Sequence, residues 1–346
     1  MFLIRQGGPN DFSGVYPLAK LLDSYNLPAD RGYIRELLEI SARSFDGRIQ
    51  KSRARYLFVL EDLNKRKIVG CSLIIAKHGT LGKPHLWLAL ETVTKRSRTL
   101  GLKRSHPVLR LGFTVNGPTE VGGLVVSPGY RRHPQACGLQ ISFVRFLYMA
   151  MYPERFEQKI LVEYRGAMGA GNESPFWEAM GKVFTGLAYG KADRLSVIHK
   201  EFILNLFPRE PIYCALLPKS VQEAIGAIHP AAKRAAGLLK SIGFRPLPQI
   251  EPFDGGPYYS ARRREIRLVR QTRRGRVSPS PFPSPLRGEG GVRAGFYLVG
   301  TQTGGFFRAA LGRGTLANQR WVLSQEVLKT LNVRVGDWVY GCPVSR

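Results

Sequence analysis

The stretch VGGLVVSPGYRRHPQACGLQISFVRFLYMAMY, Val121 to Tyr152, decides how this chain is read. Its opening residues, Val121-Gly122-Gly123-Leu124-Val125-Val126, form a strand pattern, and Ser127 to Cys137 reads as a loop. Gly138 to about Tyr152 follows as a helix. Leu139, Ile141, Phe143, Val144, Phe146, Leu147 and Met149 make it apolar nearly all round, so it is expected to be buried. A loop feeding a helix N-terminus directs backbone N–H groups and the positive helix end at one point, which holds phosphate without any particular side chain. Arg131, Arg132 and His133 add positive charge to that loop. Strand–loop–helix units with an arginine are also ordinary structural pieces, and these residues alone leave both readings open.

Working outward, Phe2 to Arg5 reads as a short strand, followed by a helix from about Val15 to Leu22. Pro17 is tolerable only in the first turn of that helix, which limits how early it can start. A second helix runs from about Arg31 to Ser44. Tyr56–Leu60 and Ile68–Ile75 are strands joined by the polar hairpin Glu61 to Lys67. Beyond the central stretch come a strand at Lys159–Glu163 and a helix opened by Ser174-Pro175 through Phe176, Trp177 and Met180. Ser220 and Glu223 have capping-box spacing on a helix expected to run to Ile228, where Pro230 stops it. Ala231 to Ile242 is one more helix, closed by Gly243, with Phe244 opening a strand. Four prolines alternating with serine from Ser278 to Pro285, then glycines 288, 290 and 291, exclude sheet or helix there. The division expected is a core over residues 1–268, a linker or insertion over 269–295 and a small β-rich domain over 296–346.

The 346 residues are 44% apolar and 22% charged, which excludes a wholly disordered chain. The net charge of +27 suits an anionic ligand. Its one dense block holds ten arginines against two glutamates between Ala261 and Arg293. That block contains a single aromatic residue, Phe282, for base stacking, so nucleic acid is not the expected partner. Cys71, Cys137, Cys214 and Cys342 form no CxxC pair, and the histidines show no HxxxH or HExxH spacing, so no metal site and no disulfide framework are expected. Cys137 lies near a helix N-terminus but has no base beside it in sequence. No apolar run is long enough to span a bilayer and no signal peptide is visible, so a cytoplasmic location without membrane attachment is expected. His229, beside Pro230, is expected at a helix C-terminus, where imidazolium is favoured. A histidine hydrogen-bonded to its own helix end fits the same residues.

Several blocks resemble the arginine N-succinyltransferase family over most of the chain. They are Tyr56–Asp62, Arg145–Ala150, Ser174-Pro175-Phe176-Trp177, Ala192-Asp193, Pro211-Ile212-Tyr213, Ile225-Gly226 with His229-Pro230, and Phe253-Asp254-Gly255-Gly256-Pro257. The resemblance implies an α/β (α+β) fold of GNAT type, a mixed sheet flanked by helices in a two-part acyltransferase core. It implies succinyl-CoA as co-substrate and no permanently bound cofactor, with L-arginine as the amine acceptor in arginine catabolism. It puts the proton donor on His229 and succinyl-CoA against the backbone at Leu124, beside Val125; the charges of Arg131 and Arg132 and the helix start at Gly138 are the candidates for its pyrophosphate. The guanidinium calls for carboxylates, and Glu163, Asp193 and Asp254 lie in or near matching blocks. The phosphate loop departs from the family in keeping only Gly138, after Ala136 and Cys137, and Ser24–Pro28 replaces a glycine-rich segment. Another acceptor such as ornithine, another acyl-CoA, or a basic nucleic-acid-binding role on the same scaffold are the competing readings. A homo-oligomer is compatible with all of them.

Overall fold

The computed structural model describes residues 1–22, 24, 26–169, 171, 173–279 and 295–344. Two compact units arise, each from separated stretches of chain: Met1–Ala76, Val121–Gln158 and Arg262–Arg346 in one, Lys77–Glu120 and Lys159–Ala261 in the other.

In the first unit Phe2–Gln6 lies antiparallel to Arg55–Asp62, which forms a hairpin with Lys67–Ile75. Strand Thr119–Val126 follows next to Lys67–Ile75. One face of these strands, including Leu57, Val59, Cys71, Leu73 and Val125, is covered by helices Phe12–Leu22 and Arg31–Phe45. Tyr56 and Phe58 point the other way and meet Tyr148 of the helix Cys137–Met151 at ring distances of 5.3 and 5.5 Å. That helix is buried along almost its whole length, as its apolar circumference requires. Helix Phe12–Leu22 starts earlier than Pro17 suggested, so the proline sits at its sixth position. Its ring leaves the Ser13 carbonyl without the usual N–H partner four residues on.

Arg273–Val277, inside the expected linker, is a strand, and it completes a closed ring of five with Gly295–Thr303, Phe306–Ala317, Arg320–Leu323 and Trp338–Pro343. The ring encloses Val277, Val299, Ala310, Trp321, Leu323 and Val339, closed by Val327 and Leu331 of the helix Gln325–Leu331. Ser324 caps this helix through its Oγ, which accepts from the Val327 N–H at 3.4 Å. Phe306–Ala317 also pairs with Phe2–Gln6, Ile4 opposite Ala309, so the C-terminal strands share their backbone hydrogen bonding with the N-terminal strand. Residues 280–294, with most of the Ser-Pro run, lie outside the described residues.

In the second unit Lys159–Glu163 runs parallel to the start of Thr119–Val126, Ile160 opposite Thr119. The sheet continues through Pro257–Arg262, Arg245–Ile250, the long hairpin His85–Ser97 with Leu102–Thr114, and Ile212–Tyr213. Leu86, Leu88, Leu109 and Ile250 meet Phe176, Trp177, Met180, Ile203 and Phe207 in one core. The Ser174-Pro175 start is observed: Ser174 Oγ accepts from the Trp177 N–H at 3.0 Å and donates to the Phe253 carbonyl at 2.8 Å. The turn continues as a π-helix, Trp177–Gly181. Among the described residues no helix is long and apolar enough to cross a membrane.

Candidate active site

In the first unit, the strand Thr119–Val126 is bent where its sequence has two glycines. Gly123 has a φ of 54°, and a Cβ on Gly122 would stand 2.7 Å from Asn26 Nδ2. Leu124, half-buried, and Val125, buried, follow this bend. The chain then leaves the sheet, with the Ser127 N–H donating to the Val69 carbonyl at 2.8 Å. Arg131 and Arg132 are both exposed; Arg131 Nε turns back to donate to the Val126 carbonyl at 3.1 Å. His133 is locked into the loop. Its Nδ1 accepts from the Gln135 N–H at 3.2 Å and its ring stands 5.0 Å from Phe2.

Ala136 caps the helix Cys137–Met151 in the left-handed region, φ 55° and ψ 49°, with no side-chain cap. Nothing lies within 4 Å of where a Cβ on Gly138 would be. The helix start is therefore backbone, unshielded and open beside Gly138, the geometry an anionic group meets at a helix N-terminus. Burial pushes the Cys137 thiol up to about 11, so it is a packed thiol and not a nucleophile.

The second unit gathers carboxyl groups. Asp254 sits in the turn Glu251–Gly256, where Glu251 Oε2 accepts from the N–H groups of Phe253 at 2.6 Å and Asp254 at 2.9 Å. Asp254 Oδ1 accepts from the Gly256 N–H at 2.8 Å. Trp177 stacks on Phe253 with ring centroids 4.9 Å apart, so the Ser-Pro-Phe-Trp block positions this acidic turn. Gly166 and Gly256 cannot carry side chains here: a Cβ on Gly166 would strike the Asp254 carbonyl, and one on Gly256 the Tyr164 carbonyl. Gly255, with φ 68°, closes the turn.

Glu163 lies among these groups. Burial first, then the charge of Glu120, pushes its carboxyl up to about 8, against the opposing pull of Lys200; Asp254 and Asp193 add to the rise. Glu251 is held well above the carboxylate range by burial, then by Glu163 and Asp254. Burial also raises Asp254, opposed by hydrogen bonds from Gly166 and Gly256 and by the charges of Arg165 and His229. Glu120, 1% exposed, has its Oε2 against His78 Nδ1. Five carboxyl groups thus share one electrostatic environment with Arg165 and Lys200, a surplus of acid that suits an incoming organic cation.

His229 is attached to the same turn, but not at the place expected. The helix Lys219–Ala224 ends five residues earlier, so His229 does not stand at its C-terminus. The Ser220–Glu223 box is absent too: Pro218 is the N-cap, with no side-chain cap bond, because the helix begins one residue before Ser220. Gly226, in the left-handed region at φ 72°, turns the chain, and its N–H donates to the Gly255 carbonyl at 2.8 Å. The His229 N–H donates to the Arg165 carbonyl at 2.8 Å. His229 itself caps the next turn, Pro230–Ala232, its Nδ1 accepting from the Ala231 N–H at 3.3 Å. The helix end nearest to it is therefore the positive one.

The structure accordingly brings Leu124, Val125, Arg131, Arg132 and Gly138 into one unit, and Glu163, Asp193, Asp254 and His229 into the other. The sequence does not show Glu120, Glu251 and Lys200 as partners of Glu163, nor Arg165 as a partner of Asp254. The one available signal was Glu251, three residues before Asp254, with the spacing of a carboxylate that caps its own turn.

The chain is an acyltransferase with an acyl-CoA co-substrate, and the bent strand, the loop and the helix start open beside Gly138 suit an anionic group. The chain belongs to the arginine N-succinyltransferase family: the family model for "Arginine N-succinyltransferase beta subunit" matches residues 2–268. The arginine N-succinyltransferase of Citrobacter koseri is 30% identical over 347 residues, covering 98% of this chain and 96% of that protein. The enzyme of the same name from Escherichia coli is 30% identical over 342 residues, covering 98% and 96%. The solved structure of arginine/ornithine succinyltransferase subunit AI from Pseudomonas aeruginosa superposes with a TM-score of 0.84 at 30% identity, covering 100% of this chain and 99% of that one.

Proposed function

We propose that this protein transfers a succinyl group from succinyl-CoA to the α-amino group of L-arginine, in arginine catabolism. The observation that carries the reading is the near-complete coverage of both chains by the family resemblance, on a fold that supplies a donor loop and a buried acid cluster. Succinyl-CoA is a co-substrate. Its pyrophosphate is assigned to the helix start at Gly138 with Arg131 and Arg132, and its thioester carbonyl to the backbone of Leu124 and Val125. The guanidinium of arginine is assigned to Glu163, Asp193 and Asp254, with Glu251 as a fourth carboxyl.

The chemistry then follows. The uncharged α-amine attacks the thioester carbonyl, giving a tetrahedral intermediate whose oxyanion needs backbone donors. Collapse breaks the carbon–sulfur bond; the nitrogen loses one proton and the thiolate gains one. His229 is the group assigned to supply the proton to sulfur. With Nδ1 accepting from Ala231, the neutral ring carries its proton on Nε2; donation requires imidazolium, in which the 3.3 Å contact with the Ala231 N–H is given up.

Four cysteines, all buried thiols, suit a cytoplasmic enzyme. The test is thiol release from succinyl-CoA and acetyl-CoA against arginine, ornithine and other amino acids. Release that depends on succinyl-CoA and arginine supports the reading, release with another pair assigns another acceptor or acyl group, and no release with any pair removes it.

A further inference from the structure

The helix Cys137–Met151 carries Arg145, whose side chain is 1% exposed and among the largest fully buried groups of the protein. Burying a guanidinium is costly unless its donors are satisfied. Its guanidinium is directed: Nε donates to the Ser142 carbonyl at 2.9 Å, Nη2 to Ser142 Oγ at 2.9 Å, and Nη1 to the Gly122 carbonyl at 3.4 Å. Ser142 thus orients the fork, and the fork's far end holds the bend of strand Thr119–Val126.

The peptide geometry makes this contact consequential. In a planar trans peptide the carbonyl of one residue and the N–H of the next point in opposite directions. Fixing the Gly122 carbonyl therefore fixes the Gly123 N–H. Cys71 Sγ, 3.8 Å from the Gly123 carbonyl, does the same more weakly for the Leu124 N–H. The bend itself has little freedom to move as a body. A Cβ on Gly123 would stand 3.0 Å from Leu73 Cβ, and Asn26 closes the space over Gly122. Ser72 Oγ donates to the Ile141 carbonyl at 2.7 Å and clasps the same helix to the neighbouring strand.

We propose that Arg145 is a positioning residue for succinyl transfer: it sets the peptide planes at Gly122-Gly123 so that the following backbone donors receive the oxyanion in the tetrahedral intermediate. The proposal rests on the function assigned above. Arg145 acts through the strand and does not touch substrate. The buried cation also lies beside the strand where negative charge develops, so its field favours the transition state over the ground state.

The test is steady-state thiol release in wild type, Arg145→Met, Arg145→Lys and Ser142→Ala, with circular dichroism to normalise for folded protein. Arg145→Met is expected to lose about 10- to 100-fold in kcat with the KM for succinyl-CoA within about twofold, because the donor is held mainly at the helix start and the bend acts in the transition state. Arg145→Lys, which keeps a donor but not the fork, is expected to recover part of that loss. Ser142→Ala keeps the guanidinium and loosens its aim. It is the variant expected to fold normally, and its kcat is expected to fall about threefold at unchanged KM. A kcat per folded molecule equal to wild type in Ser142→Ala and in whichever Arg145 variants fold overturns the proposal. So does a fall in activity that tracks folded fraction alone. If wild type itself releases no thiol, the function falls and this inference with it; if wild type turns over and the variants match it, only the inference falls.

Discussion

Raising pH should tighten arginine binding, and the size of the effect follows from Glu163. Its carboxyl sits at about 8 in the folded protein against an ordinary value of 4.5, so near pH 6 it is held neutral by its surroundings. A guanidinium stays charged across this range and pairs best with ionised carboxylates. Binding therefore expels a proton from Glu163 whenever the pH lies below about 8. Each pH unit below that point costs up to tenfold in arginine affinity, so the Kd should improve by up to about 100-fold between pH 6 and 8 and level off above. The same shift fixes the sign for stability without substrate. Neutral Glu163 is favoured in the fold, so stability is fully present below about pH 4.5 and is lost as pH rises towards 8. Calorimetry with arginine in buffers of different ionisation enthalpy measures the released proton directly and avoids the titration of the attacking amine that complicates kcat. Glu163→Gln should abolish most of that release, flatten the pH dependence and weaken binding at pH 8.5 by at least about tenfold. A Kd for arginine that is flat from pH 6 to 8.5, with no buffer dependence of the heat, would refute the assignment of the acid cluster to the guanidinium.

Other outcomes follow from single contacts. His229→Ala should lower kcat by about 10²- to 10⁴-fold with little change in folding, measured by thiol release and thermal melting; unchanged turnover removes His229 from the mechanism. Ala136→Gly relieves a left-handed conformation that costs a non-glycine residue about 1 kcal/mol, so Tm should rise by about 2–4 °C without loss of succinyl-CoA affinity. A lower Tm in that variant would mean that the unfolded chain's gain in freedom outweighs the strain. Burial holds Cys71 at about 12 and Cys137 at about 11, so a thiol reagent at pH 8 should leave the folded protein essentially unlabelled until denaturant is added. Rapid labelling of the native protein would contradict the packing described for the helix start.

Much of this was visible in the chain because the signals were local. The buried helix Cys137–Met151 follows from side chains apolar in every direction, and the cap at Ser174 from a hydroxyl placed before Pro175. The elements without a local signal depend on distant pairing. The long hairpin His85–Ser97 with Leu102–Thr114 buries only its base, at His85, Leu86, Leu88, Val108 and Leu109, so most of each strand shows no apolar alternation. Arg273–Val277 looked like linker because Arg273, Arg274 and Arg276 point outward and only Gly275 and Val277 are buried. Pro230 alone places His229 at a helix end, but the helix stops at Ala224, before the left-handed Gly226. The acid cluster was half legible. Asp193 and Asp254 stand in the family-like blocks and Glu163 outside them, whereas Glu120 joins them through strand pairing that no local pattern encodes.

The reaction is defined by which nitrogen receives which acyl group. Incubating the protein with arginine labelled with ¹⁵N at the α-amino group and succinyl-CoA labelled with ¹³C at the thioester carbonyl reads both at once by NMR. A product amide with one-bond ¹³C–¹⁵N coupling at the α-nitrogen is the expected result. Label that stays in succinyl-CoA or free succinate, or a product amide without that coupling, would contradict it.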